Sequence, residues 1–258
     1  MAPLAPGMAP LAPGVAQMVD RLARRWSLPA GANDALSALV DLVARDDRAP
    51  TTVRQPTRVV EDHLADSLVA LELEAVRAAL RIADLGSGAG FPGLPLAIAL
   101  PEASVFLVES NARKSEFLRA AAAVSGVGNV AVVTSRIEEW TEPIGRLDLV
   151  TARALAPLSV VAEYAAPLLR LGGVLVAWRG RRDAEAEAEG DAAAAELGLE
   201  PLPARRVSPY GGAQHRYLHV MSKVSPTPDR FPRRPGIARK HPLAEPPRSD
   251  RASDRARR

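Results

Sequence analysis

Ile82-Ala-Asp-Leu-Gly-Ser-Gly-Ala-Gly-Phe-Pro-Gly93 is the stretch from which the rest of the chain can be read. Residues 80–86, Leu-Arg-Ile-Ala-Asp-Leu-Gly, read as a short buried strand. Gly86, Gly88 and Gly90 follow at once. Glycine at such a turn lets the backbone fold back tightly and lets a ligand sit against bare main chain. From Phe91 a helix begins, with Pro92 near its start. Its first N–H groups point into the same crevice and favour a carboxylate or phosphate there. Outward from this unit the pattern repeats. Residues 104–110, 130–135, 146–152 and 172–180 read as further strands, and 111–124, 157–170 and 183–197 as helices. In 111–124, Phe117, Leu118, Ala121 and Val124 share the inward face. Strands near 204–208 and 216–221 bring the total to seven. Strands alternating with helices of ~10–15 residues predict an α/β fold with a doubly wound, mostly parallel sheet. Ahead of it lie three helical stretches: 15–26, with Val15, Met18, Val19, Leu22 and Trp26 at helical spacing, 33–44, and one from Thr57 carrying His63, Leu64, Leu68 and Leu71.

The ends have a different character. Residues 1–14 are MAPLAPG written twice, and four prolines exclude a helix interior or a paired strand. From Ser225 the chain carries seven prolines, ten Lys/Arg and four Asp/Glu, a disordered and basic composition. The net charge of +3 therefore resolves into +6 on residues 225–258 and −3 on the remainder. The expected organisation is a disordered repeat over 1–14, one globular domain over 15–224 with a helical extension over 15–78, and a basic tail over 225–258. The chain has no cysteine, which excludes disulfides, zinc–thiolate sites and a cysteine nucleophile. No apolar run approaches the ~18 residues of a membrane helix, and no secretory signal is present, so a cytoplasmic protein without a membrane partner is expected.

Glu109 closes the second strand, 25 residues after Asp84, where a carboxylate can accept hydrogen bonds from both ribose hydroxyls. The combination suits an adenosine-bearing ligand. A dinucleotide fingerprint would need a third glycine where Phe91 stands, and no G-x-x-x-x-G-K-[ST] occurs. Asp84-x-Gly86-x-Gly88-x-Gly90 instead resembles the first motif of Rossmann-like S-adenosylmethionine (SAM) methyltransferases. Asp84 is an acid suited to the neighbourhood of a sulfonium.

A longer series is more specific. DLGSGAGFPGLPLAI, VESNARKSEFLR, SRIEEW, TARALAPL, AWRG and HRYLHVMSK, in this order, resemble the guanine-N7 methyltransferases of small-subunit ribosomal RNA, the RsmG or glucose-inhibited division protein B family. HLADS (63–67) resembles a further short block of that family, the likeness spans residues 54–224, and the Pro/Arg tail is similar to those of actinobacterial members. The resemblance implies SAM as cofactor and N7 of guanosine 527, in the decoding-site hairpin loop of 16S rRNA, as target. It implies free 16S rRNA or the 30S subunit as partner and a monomeric enzyme. Carried over by position, Gly86 and Phe91, with Asp84, Gly88 and Gly90 of the same loop, would contact the cofactor. Glu109, Ser110 and Asn111 would hold the ribose side, Ile137 and Glu138 would flank the adenine, and Arg153 would close the pocket.

Guanine N7 carries an in-plane lone pair, so methyl transfer needs no catalytic base and no metal. Positioning is the enzyme's task. Candidate RNA contacts are Arg113 and Lys114, cations in a first helical turn where they oppose the dipole, and Arg136, Arg179 and Arg216. Arg113 and Lys114 are also readable as solvated charge, as is Glu139, and Arg153 as a surface ion pair, while Arg136, Arg179 and Arg216 are the weaker candidates. The basic tail could add non-specific, salt-dependent affinity. His63 reads as a core or capping histidine, or as a contact to the methionine end or target base. His215 and His219 receive no role. Where the family usually has a Trp-Asn…Asn-Leu-Thr block, this chain has Ala44-Arg-Asp-Asp-Arg-Ala-Pro-Thr51, and Arg179-Gly180 replaces Lys-Gly. The alternatives are a methyltransferase of another RNA or small molecule, a non-catalytic ribosome-assembly module, and a nicotinamide oxidoreductase.

Overall fold

The computed structural model describes residues 11–243. The most N-terminal part of the repeat and residues 244–258 lie outside the described residues. The sheet contains β1 (Arg81–Leu85), β2 (Ser104–Glu109), β3 (Val130–Thr134), β4 (Leu147–Arg153), β5 (Leu169–Arg179), β6 (Leu199–Pro201), β7 (Arg205–Arg206) and β8 (Tyr217–Lys223). Their order is β3-β2-β1-β4-β5-β8-β6, with β7 paired to β8 off this path. The first five strands pair in parallel, and β8 is antiparallel to β5, β6 and β7. The sheet thus has eight strands rather than the expected seven. The additional one, β6, is three residues ending in a proline, too short to show alternation.

The strand order reverses between β1 and β4, which opens a crevice at their carboxyl ends. The glycine loop leaves β1 there. Alternating side chains send Ile82, Val105, Leu107, Leu149, Val176 and Val220 to one face. That face is covered by α1 (Pro13–Arg25), α2 (Ala32–Arg45), the helical stretch 56–77, α3 (Gly93–Ala99) and α4 (Ala112–Val124). Ala83, Leu85, Val108, Val150, Leu175 and Met221 face the other way. They pack under α5 (Leu158–Ala165) and α6 (Ala184–Leu197).

Two boundary expectations are corrected. Helix α1 begins at Pro13, inside the repeat, because proline is tolerated in a first helical turn, and Leu11 packs against the core. The chain is also ordered beyond Ser225. Phe231 and Ala238, the latter in the short helix α7 (Ile237–Lys240), are buried in the core on the α5/α6 side. The single helix expected from Thr57 is a succession of short turns, with a π-helical turn over Val59–Ala65 and a 3₁₀ turn over Val69–Glu72. Side chains take several of its carbonyls: Arg153 donates to Asp62 O at 3.1 Å, Ser67 Oγ to His63 O at 2.6 Å and Trp178 Nε1 to Asp66 O at 2.7 Å. No helix among the described residues is long and apolar enough to cross a membrane.

One close approach fixes the crevice. Gly93 N donates to Asp84 Oδ2 at 3.2 Å, so α3 starts against the end of β1. A Cβ on Gly93 would lie 2.3 Å from Leu107 Cδ2 and 2.9 Å from Asp84 Oδ2. Gly93→Ala is therefore expected to cost about 1–3 kcal/mol through overpacking. In thermal unfolding this would lower Tm by several degrees, and an unchanged Tm would contradict the packing described.

Candidate active site

Two cavities open side by side at the carboxyl edge of the sheet. The first, of about 340 Å³, has walls from Gly86 and the ends of β2, β3 and β4: Glu109, Ser110, Ile137, Glu138, Ala154 and Leu155. Lys114, Arg136 and Tyr164 complete its sides, together with Gly236 and Arg239 from the C-terminal segment. The second, of about 480 Å³, lies between the irregular helical stretch and β5, with Asp62, His63, Asp66, Arg153, Trp178 and Arg179 among its walls. Arg181, Arg216 and Tyr217 also line it. Ala154 borders both cavities. Its φ of +53° places a non-glycine residue in the left-handed region. Such strain persists only where surrounding structure holds it, often at functional sites.

In the first cavity Glu109 is the fixed anion. Its Oε2 accepts from Gly88 N at 3.2 Å and its Oε1 from Asn111 N at 2.9 Å, so the carboxylate is aimed by main chain on both sides. Gly86 has φ +69°, and a Cβ there would lie 2.6 Å from Leu155 Cδ1, so only glycine lets the loop pass this close to the end of β4. Asp84 itself is buried and does not line the cavity, contrary to expectation. It accepts from Thr151 Oγ1 at 2.9 Å and from Gly93 N, tying β1, β4 and α3 together. Burial raises its carboxyl to about 6, although Thr151, Ser87 and Gly93 oppose the shift.

Other expectations are redistributed. Gly88, Gly90, Phe91 and Asn111 are not among the residues lining the first cavity. Asn111 instead caps α4, its side chain accepting from Lys114 N at 3.2 Å. Phe91 is buried and stacks on His63 with ring centroids 4.5 Å apart. Arg153 turns away from the first cavity into the wall of the second. Its guanidinium reaches Asp66 Oδ2 at 3.0 Å and His63 Nδ1 at 3.2 Å, and lies 5.6 Å from the Phe91 ring centroid. His63 Nδ1 lies 3.2 Å from Arg153 Nη2 and 3.2 Å from Asp62 O, and its Nε2 lies 2.9 Å from Thr51 Oγ1. The diverged 44–51 stretch thus supplies a partner to His63. Burial, reinforced by Arg153, lowers the His63 pKa to about 4, so the ring is neutral at pH 7.

Of the expected RNA-contacting cations, Lys114 and Arg136 line the first cavity and Arg179 and Arg216 the second. Arg113 is exposed and lines neither. Reading the sequence missed Asp62 and Asp66, four residues apart around His63. Tyr210 Oη donates to Asp62 Oδ1 at 2.5 Å. Arg216 stands 3.7 Å from Asp62 and 3.5 Å from Asp66. Burial holds the Asp66 carboxyl above its ordinary value against the pull of Arg153. Only the HLADS block pointed toward this region.

Comparison with known proteins follows the same lines. The sequence pattern of the GidB family, described as rRNA small subunit methyltransferase G, matches residues 34–208. The ribosomal RNA small subunit methyltransferase G of Rubrobacter xylanophilus is 42% identical over 196 residues, covering 74% of this chain and 75% of the relative. That of Chloroflexus aggregans is 40% identical over 209 residues, covering 80% and 87%. Among solved structures, a SAM-dependent O-methyltransferase from Thermotoga maritima superposes with a TM-score of 0.52 at 20% identity, over 72% of this chain and 71% of that one. A SAM-dependent methyltransferase from Aquifex aeolicus gives 0.51 at 16% identity, over 66% and 94%. These two structures establish the likeness of fold.

The two shifted groups oppose each other in pH dependence. Asp84 binds its proton more tightly in the folded state, so its contribution is full below about pH 4 and is lost as pH rises through about 6. His63 binds its proton more weakly when folded, so its contribution is full above about pH 6.5 and is lost as pH falls through about 4. Relative to wild type, His63→Gln should make stability decline more steeply, or rise less, as pH increases from 4 to 6.5. Asp84→Asn should do the opposite. Denaturant titrations at several pH values read both slopes, and parallel curves for all three proteins would contradict the assignment.

Proposed function

The chain belongs to the rRNA small subunit methyltransferase G family, and on that premise we propose that it methylates N7 of guanosine 527 in 16S rRNA with SAM as methyl donor. The single observation that carries the reading is the pairing of two cavities that meet at Ala154, one built around Gly86 and Glu109 at the strand ends and the other walled by acids and arginines. The donor set of the first fits the cofactor. Glu109 presents a carboxylate oriented by two main-chain N–H groups, suited to a ribose diol. Gly86 leaves bare backbone beside it, and Ser110, Ile137 and Glu138 wall the side toward β3, where an adenine would lie. SAM, when bound, supplies an electrophilic methyl on a sulfonium, which departs as a neutral thioether as the N7 lone pair of guanine takes the methyl.

The chain's own residues then have positioning work. No proton must be removed from N7, so a neutral His63 held by Arg153 and Thr51 serves as wall, with Phe91 behind it. The methylated purine gains a positive charge. Asp62 and Asp66 lie on the second cavity, where the arginines around them hold the carboxylates in place and leave them as acceptors for the edge of a base. Arg179, Arg181 and Arg216 at that cavity, and Lys114 and Arg136 at the first, suit the phosphates of a single-stranded loop whose target base is turned out. Exposed Arg113 would add to the same basic rim. The part of the chain that does this includes α1 and the packed residues after β8 as far as they are described. It acts as a monomer in the cytoplasm, on the 30S subunit or its rRNA.

The test is incubation of the full chain with radiolabelled SAM and 30S subunits lacking the modification, followed by mapping of the label. Label at N7 of guanosine 527 is the expected outcome. Label at another nucleotide, or SAM binding without transfer, would overturn the target assignment. Glu109→Gln removes the charge facing the ribose and should weaken SAM binding about 10- to 100-fold in calorimetry, the range for hydrogen bonds to a charged group. Unchanged affinity would remove Glu109 from the cofactor site.

A further inference from the structure

The segment after β8 follows a defined course. Val224 N and Ser225 N donate to Gly198 O at 3.0 and 3.2 Å. Lys223 Nζ donates to Leu197 O at 2.7 Å and also meets Thr227 Oγ1. From there the chain crosses the α5/α6 face of the domain, burying Phe231 on the way. Arg233 then forms a two-pronged ion pair with Glu163 of α5, Nε to Oε1 at 2.7 Å and Nη2 to Oε2 at 2.5 Å. Glu163 is 1% exposed and is the one charged residue of its helix, Leu-Ser-Val-Val-Ala-Glu-Tyr-Ala. Arg233 is its one charged partner among the described residues. Beyond this pair Gly236 N donates to Glu138 Oε1 at 2.9 Å, and Arg239 Nη2 donates to Leu155 O at 3.1 Å. Gly236 and Arg239 both line the first cavity. The strap's own residues lie outside residues 34–208, the span shared with the family pattern, and their partners lie inside it.

We propose that residues 225–243 are a working part of the cofactor site: a strap, latched by Arg233 on Glu163, that brings Gly236 and Arg239 in as the outer wall over the nucleoside end. The inference rests on reading the first cavity as the SAM site. Glu138, expected from the sequence to flank the adenine, spends one carboxylate oxygen on the strap, so the cavity wall toward β3 and the strap are one hydrogen-bonded unit. Arg239 adds a planar cation with further N–H donors on the same side. A guanidinium of this kind stacks on a purine face or donates to its ring nitrogens. The latch explains a buried carboxylate that the sheet and α5 do not need. A buried acid is retained only when paired and hydrogen-bonded, and the pairing fixes where the strap lies.

The experiment is SAM binding to the full chain by calorimetry, with dissociation followed by stopped flow, for wild type, Arg239→Ala, Arg239→Lys and the latch variant Arg233→Met. Arg239 is exposed, so its replacement leaves the core intact, and thermal unfolding of each variant checks this. Arg239→Ala should weaken SAM binding at least fivefold and speed release, with Arg239→Lys recovering part of the loss. Arg233→Met should weaken binding in the same direction with Arg239 still present. Wild-type binding with both Arg239→Ala and Arg233→Met within twofold of it would overturn the strap's role and leave the cofactor reading standing. Failure of the wild type to bind SAM would overturn both.

Discussion

Arg153 and Asp66 form the contact on which the arrangement of the site depends. Arg153 is the last residue of β4, Asp66 belongs to the irregular helical stretch ahead of the sheet, and their side chains meet at 3.0 Å with little exposure. A buried pair of this kind is stable only when its remaining hydrogen-bonding capacity is met. Here Arg153 also donates to Asp62 O and His63 Nδ1, and the Asp66 main chain accepts from Trp178 of β5, while Asp66 Oδ1 makes no hydrogen bond and has only the charge of Arg216, 3.5 Å away, to compensate it. The N-terminal layer is thereby fastened to the carboxyl edge of two central strands. The fastening is also the partition: Phe91, His63 and Arg153 stack into a wall on the side of the second cavity, and Ala154 next to Arg153 is left as the floor common to both.

A second tie works below the first. Asp84 sits at the end of β1 opposite Thr151 of β4 in the parallel register, and its two oxygens hold Thr151 and the first turn of α3. The acid of the glycine motif is thus a structural anchor, and the carboxylate that lines the first cavity beside the glycine loop is Glu109. This division of labour follows from depth. Asp84 is buried among apolar residues at the middle of the sheet, whereas Glu109 ends its strand at the crevice.

The fold was largely legible because β1 to β5 and the helices between them obey simple periodicities, and Gly86, Glu109, Ser110, Ile137 and Glu138 lie at strand ends where an α/β sheet binds ligands. What escaped reading escaped for physical reasons. Asp62 and Asp66 sit on a stretch whose turns change from α to π to 3₁₀, so an ideal helical wheel misplaces their side chains. The family resemblance put Arg153 at the cofactor pocket, and in the structure its long side chain is held by partners distant in sequence, Asp62, His63 and Asp66. The C-terminal strap has the proline and charge content of a disordered tail, and its buried apolar anchors, Phe231 and Ala238, are two isolated residues that make no periodic pattern, helped by one arginine opposite a buried glutamate and by scattered hydrogen bonds.

The central claim is that Arg153 serves the substrate side of the partition. Arg153→Lys keeps the charge against Asp66 but loses the forked geometry. Parallel measurements of SAM affinity and of single-turnover methyl transfer to 30S subunits test the claim most directly. The account predicts SAM affinity within about twofold of wild type and transfer slowed on the order of 100-fold, as misplacement at a reacting centre produces. A loss of SAM affinity that matches the loss of transfer would contradict it and return Arg153 to the cofactor cavity.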